Sequence, residues 1–291
     1  MFYNWWQLFV ICIIVLLIIG VFLYSNYKFT QVVAYSLIRK GLTQYTLWYT
    51  RHWHEIESEH FLLRYQQKDK DIAHIVIDTA ENAFNPTCNI LKYKPRNKNL
   101  IIIYPDRESL ARQFGWAANE SAMGVYWAGV IRILSPHDWV ASEDLNEICS
   151  VFRKSGPVAH EFAHLLVDEK AKGNYPRWLT EGIAQYVEYL ITGFSMPGST
   201  DAKSWYPLTD MDYNFDSLPD QSLAYRQSCL MVEYFVKKWG QDALCQVLDF
   251  MGKGLSINDA FKEVIGISLE EFEAQFKNDV SISRSRFRLV A

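Results

Sequence analysis

His160-Glu161-Phe162-Ala163-His164, followed shortly by Arg177-Trp178-Leu179-Thr180-Glu181-Gly182-Ile183-Ala184-Gln185-Tyr186, decides how this chain is read. The first segment has the form H-E-x-x-H within a helical pattern. Residues four apart lie on one helix face, so both imidazoles can reach a single metal ion. Glu161 follows the first His and can lean over the open coordination position, where it can take a proton from a water that the metal activates. The second segment reads as the start of another amphipathic helix, with Glu181 near its N-terminus. A carboxylate there completes a His/His/Glu donor set and leaves a fourth position for water. The plain alternative is two helix histidines held by nearby carboxylates.

The two segments, taken as His160-Glu161-Phe162-Ala163-His164 and Pro176-x-Trp178-Leu179-x-Glu181-Gly182-Ile183-Ala184-x-Tyr186, resemble the peptidase MA-like domain of the gluzincin metallopeptidases. The resemblance spans about residues 55–280 and is specific at the two motifs. It implies an α+β, zincin-like fold: a small mixed sheet with the active-site helix, then a mostly helical C-terminal lobe. It implies one Zn2+ per chain on His160, His164 and Glu181, with Glu161 as general base. In thermolysin-like relatives an acidic residue four positions after the third ligand steadies a ligand imidazole; Gln185 stands there in this chain, able to hydrogen-bond but without the charge. Tyr225 lies in Ala224-Tyr225-Arg226-Gln227-Ser228, which is similar to a segment that recurs in the family; a Tyr hydroxyl facing the metal could stabilise the oxyanion of a tetrahedral intermediate, and a helix-packing tyrosine is the plainer reading. The implied activity is hydrolysis of peptide bonds. The segment that binds a free amino terminus in aminopeptidase relatives is missing at Ala122-Met123-Gly124, so an endopeptidase is expected. Two rivals stay open: a non-catalytic binding or assembly protein that keeps the zincin shell, and a zinc hydrolase of a cell-wall amide or an ester.

The rest of the chain sets limits. It has 291 residues and a formal net charge of −4, which gives no pointer to nucleic acid. Without a short N-terminal segment about 240 residues remain, enough for one sizeable core or two lobes around a cleft. Leu8 to Tyr24 carries no charge and no proline; with Trp5 and Trp6 it reaches the ~20 residues that span a bilayer. Trp5, Trp6, Tyr24 and Tyr27 flank it as an interfacial aromatic belt. The segment before it lacks Lys and Arg and no small-residue cleavage site follows, which argues against a signal peptide. A single uncleaved transmembrane anchor over residues 1–27 is therefore expected, then a juxtamembrane linker or helix over 28–54, the domain over 55–280 and a basic tail over 281–291. The expected localisation is the cell membrane. Lys28, Arg39 and Lys40 after the span favour a cytoplasmic domain; the family resemblance favours an extracytoplasmic one, and that side is preferred. Cys88, Cys149, Cys229 and Cys245 are widely spaced with no C-x-x-C, and no bridge is assigned.

Periodicity gives the remaining elements. Glu57–Tyr65 reads as a strand, Asp71–Leu91 as a helix, Asn99–Tyr104 as a short apolar strand and Arg107–Phe114 as a helix. Gly124–Leu134 reads as one strand or a pair about Gly129, and Val125–Leu134 is the candidate edge strand beside the cleft, where an extended peptide could add. The motif helix is expected over Pro157–Asp168 with Ser155 as cap. Residues 198–221 form a long irregular stretch. Four helices follow, over 222–239, 242–251, 257–264 and 269–279, the last opened by a capping box at Ser268-Leu269-Glu270-Glu271.

Overall fold

The computed structural model describes residues 27–117, 122–195 and 205–282, together with Cys12, Ile13 and Gly20. Most of the predicted span over residues 8–24 and most of the basic tail lie outside these. No helix among the described residues is long and apolar enough to cross a membrane.

From residue 27 the described chain runs through helix α1 (Tyr27–Tyr49), strands β1 (His54–Glu57) and β2 (Phe61–Tyr65), helix α2 (Ala73–Leu91), strand β3 (Asn99–Tyr104) and the short helix α3 (Arg107–Ala111). The hairpin of β4 (Gly124–Trp127) and β5 (Val130–Leu134) completes a sheet of order β1-β2-β3-β5-β4. Strands β2, β3 and β5 run parallel; β1 and β4 pair antiparallel at the two edges. The mixed α+β class is as expected.

β3 is an unbroken apolar run because both of its faces are covered. Ile101 and Ile103 face the main core with Phe61, Leu63, Ile131 and Ile133. Leu100, Ile102 and Tyr104 face a smaller core that Leu47 of α1, Trp53 and Phe114 help to close. The segment expected as a linker thus supplies one wall of the sheet.

Three expectations shift. Glu57–Tyr65 is not one strand: Ser58 N donates to Phe61 O (3.0 Å), and the polar Ser58-Glu59-His60 turn separates β1 from β2. The expected edge strand is only its first half: β4 is the edge, and β5 lies inside the sheet between β3 and β4. Ser155 does not cap the motif helix. It ends helix α5 (Leu145–Ser155), which follows the short α4 (Pro136–Trp139), and its hydroxyl donates to Val151 O. Gly156 and Pro157 break the chain, and helix α6 (Val158–Ala171) starts from Pro157, which has no N–H to satisfy.

Helix α7 (Arg177–Thr192) packs on α6, and α8 (Leu208–Tyr213) with a 3-10 turn at Phe215–Ser217 occupies part of the expected irregular stretch. Helices α9 (Gln221–Trp239), α10 (Gln241–Gly252), α11 (Ile257–Ile265) and α12 (Leu269–Ile282) build the mostly helical C-terminal region. The capping box forms: Glu271 N donates to Ser268 Oγ and Ser268 N to Glu271 Oε2. Gly182 lets α7 and α9 touch, since a Cβ there would lie 2.3 Å from Ser228 O.

Candidate metal centre and active site

Helix periodicity sets His160 and His164 on one face of α6, with their Nε2 atoms 3.1 Å apart. Glu181, in the first turns of α7, brings Oε2 to 3.5 Å from His160 Nε2 and 3.4 Å from His164 Nε2. A tetrahedral ion with bonds of about 2.0–2.1 Å sets its donor atoms about 3.3–3.4 Å apart, so this triangle has the size that zinc requires.

The proton inventory points the same way. His160 Nδ1 lies 3.2 Å from Glu188 Oε2. A carboxylate only accepts, so Nδ1 carries the proton and Nε2 keeps its lone pair. His164 Nδ1 lies 2.6 Å from Thr180 Oγ1, and that hydroxyl can accept in the same way. With both rings neutral, three acceptors face one another, and a proton or a metal cation placed between them satisfies all three. Burial alone would lower the His160 imidazole, yet the Glu181 and Glu188 carboxylates outweigh it and hold the ring well above its ordinary value. Burial likewise opposes ionisation of Glu181, but the two imidazoles and Arg177 keep its carboxyl well below the usual range. The cluster draws positive charge.

The other oxygen of Glu181 is held by Arg177 Nε at 3.0 Å, which leaves Oε2 to face the imidazoles. Glu161 is buried, and its Oε2 accepts the main-chain N–H of Tyr126 in the edge strand β4 at 2.5 Å. That contact needs Gly124: a Cβ there would lie 2.8 Å from Glu161 Cγ and 2.7 Å from Pro157 Cβ. Burial pushes the Glu161 carboxyl up, with His160 and His164 opposing.

Tyr225, on α9, sits edge-on to Phe215 beside Arg177. Burial, with Glu181 adding to it and Arg177 opposing, pushes its phenol up to about 12, so it stays a hydrogen-bond donor. Gln185 does not reach a ligand ring in this arrangement. Its Nε2 donates to Glu181 O (3.2 Å) and Tyr225 O (2.9 Å), tying α7 to α9. The imidazoles are steadied instead by Glu188 and Thr180. Glu188 stands seven residues after Glu181, two helical turns on along the same face, and that spacing was the available signal. Nothing local marked Thr180, Arg177 or Tyr126. All five cysteines are free.

A second polar cluster lies at the other end of α6. Asp168, fully buried, accepts from the hydroxyls of Tyr35, Tyr126 (2.5 Å) and Tyr175 (2.9 Å) and pairs with Arg39 Nε (3.0 Å). Arg39 also reaches Glu169 at 2.8 Å. Tyr126 thus serves both ends of α6, its N–H on Glu161 and its hydroxyl on Asp168.

Comparison with known proteins agrees with the motifs. Residues 148–282 match the Peptidase MA superfamily. The uncharacterised protein YhcO of Bacillus subtilis (strain 168) is 22% identical over 233 residues, covering 73% of this chain and 67% of that protein. Aminopeptidase A of Legionella pneumophila, solved in complex with aspartic acid, superposes with a TM-score of 0.44 at 14% identity, over 74% of this chain. The chain spans only 26% of that enzyme's length. His160, Glu161, His164 and Glu181 all fall inside the matched stretch, and the chain carries a peptidase MA-like domain.

Proposed function

We propose that this protein is a membrane-anchored, zinc-dependent peptidase whose metal ligands are His160, His164 and Glu181. The observation that carries the reading is the triangle of part-buried His160 with buried His164 and Glu181, sized for a tetrahedral ion, with a second buried carboxylate, Glu161, beside it. Its place inside the stretch that matches the Peptidase MA superfamily supports a peptidase-like activity. When bound, zinc supplies Lewis-acid polarisation of the scissile carbonyl and makes water a nucleophile near neutral pH.

The chain's own residues do the rest. Glu161, fixed by the Tyr126 N–H, takes a proton from the attacking water and hands it to the leaving amine. The edge of β4 offers main-chain groups to which an extended peptide can pair, next to Glu161. Tyr225 keeps its hydroxyl proton and can donate to the developing oxyanion. Glu188 and Thr180 fix the rotation of the two imidazoles, and Arg177 fixes the Glu181 carboxylate. The departure at Ala122-Met123-Gly124 from the aminopeptidase pattern supports an endopeptidase. The uncharged run from Leu8 to Tyr24 supports the anchor.

The test is metal analysis and peptide-library profiling of the full chain in detergent, for wild type, Glu161→Gln and Glu181→Ala. The expected result is one zinc per chain and internal cleavage for wild type. Glu161→Gln should keep the zinc and lose cleavage; Glu181→Ala should lose both. Cleavage that survives Glu161→Gln, or wild type purified without metal, overturns the proposal.

A further inference from the structure

Helix α1 is amphipathic the wrong way round for a helix in water. A surface helix of a soluble domain buries its apolar stripe and exposes its polar one. The side of α1 that meets the domain is mostly polar, with Leu47 as its apolar contact. Tyr35 and Arg39 bond Asp168, Thr43 donates to Ala128 O at 3.2 Å, and Thr46 and Thr50 are buried. The opposite side carries Val33, Leu37, Ile38, Tyr45, Trp48 and Tyr49. Leu37 is 64% exposed, Ile38 60%, and Tyr45 and Trp48 59% each. At 100° per residue all six fall within one side of the helix, in two groups on either side of the exposed Gly41 and Gln44, unlike the scattered single exposures that need no explanation.

We propose that this stripe lies in the lipid headgroup–acyl boundary, so that α1 runs in the plane of the membrane surface and seats the domain on it. The proposal rests on the membrane anchor inferred above and adds an orientation. Three observations choose lipid as the occupant. The uncharged run Leu8–Tyr24 ends just before α1 begins at Tyr27, so α1 starts where the chain leaves the bilayer. The stripe is rich in Trp and Tyr, the side chains that settle at membrane interfaces. Lys40 and Arg51 are exposed beside it, Arg51 lying 4.5 Å over the Trp48 ring, and long basic side chains of this kind bury their stems and keep their charge at the headgroups. α1 itself is too polar to span, which leaves the in-plane placement.

The clamp on the other side gives this seating a consequence for the active site. Arg39 lies 3.3 Å from the Tyr126 hydroxyl, and Tyr126 holds Glu161 through its N–H. The membrane-facing helix and the edge strand beside the proposed catalytic base are therefore joined by one residue.

The experiment places photo-reactive benzoylphenylalanine at Leu37, Tyr45 or Trp48 of the full chain, reconstituted into phosphatidylethanolamine–phosphatidylglycerol vesicles. Tyr213, 83% exposed on α8, serves as the water-facing control and Ile14 as the anchor control. Adducts are read by mass spectrometry. Lipid adducts at the three α1 positions and none at Tyr213 are expected. Their absence at the α1 positions overturns the proposal whatever Ile14 reports, and cross-links to protein alone assign the stripe to a protein partner and overturn it too. Absence at Ile14 defeats the anchor separately. Zinc content of each variant verifies that the domain is folded.

Discussion

Helix α6 carries two buried polar clusters, and they are balanced in opposite ways. Around Asp168, one carboxylate meets three hydroxyl donors and a guanidinium, so donors match acceptors and the cluster is complete within the protein. Around His160 and His164, two imidazole Nε2 atoms and a carboxylate oxygen converge, and with both rings neutral only an added proton or metal ion completes them. Both clusters lie on one face, His164 four residues before Asp168. Counting donors and acceptors separates a cluster that holds the fold together from one that could hold a cation, where burial and charge alone would not.

The largest effect that tests this contrast is on activity. Glu161→Gln should lower kcat roughly 10²–10⁴-fold while zinc per chain stays unchanged. Loss of the zinc in that variant would make Glu161 part of the metal cluster. Next comes the complete cluster. Asp168→Asn should cost about 1.5–3 kcal/mol of stability in denaturant melts, because it replaces the buried carboxylate that the hydroxyls and Arg39 bond, while Arg39 keeps Glu169. Zinc per folded chain should hold; if it falls in step with stability, the two clusters are one unit. A smaller effect sharpens the metal side. Glu188→Gln should weaken zinc affinity about 10–100-fold in competition with a chelator, and Gln185→Ala should leave it unchanged. The reverse pattern would return the supporting role to Gln185. The smallest effect is Tyr175→Phe, which removes one of four donors to Asp168 and should cost about 1 kcal/mol. A much larger loss would show that the donors act as a cooperative set.

Much of this was legible in the sequence. The spacing of His160 and His164 puts both rings on one helix face whatever the fold, and Asn99–Tyr104 reads as a doubly covered strand from its unbroken apolar run. The C-terminal helices follow from their stripes and glycine stops. What stayed hidden depends on which faces meet. Periodicity shows that α1 has two unlike sides but does not say that the polar side turns inward, because its partner Asp168 lies 133 residues beyond Tyr35. Thr180 and Arg177 look like ordinary helix-start residues until α6 is laid across α7. Ser155 resembles a cap, and only the Gly156-Pro157 break shows that it belongs to the helix before.

The distance along the chain between Tyr35 and Asp168 also sets an order of assembly. At about 5–20 residues per second, synthesis places roughly 7–27 s between the emergence of α1 and that of the aspartate that neutralises it. Arg39 can meet Tyr126 part-way through that interval, whereas the Tyr35 hydroxyl waits for Asp168. The last turns of α6 then arrive as the keystone, closing a wall whose first stone was set 133 residues earlier.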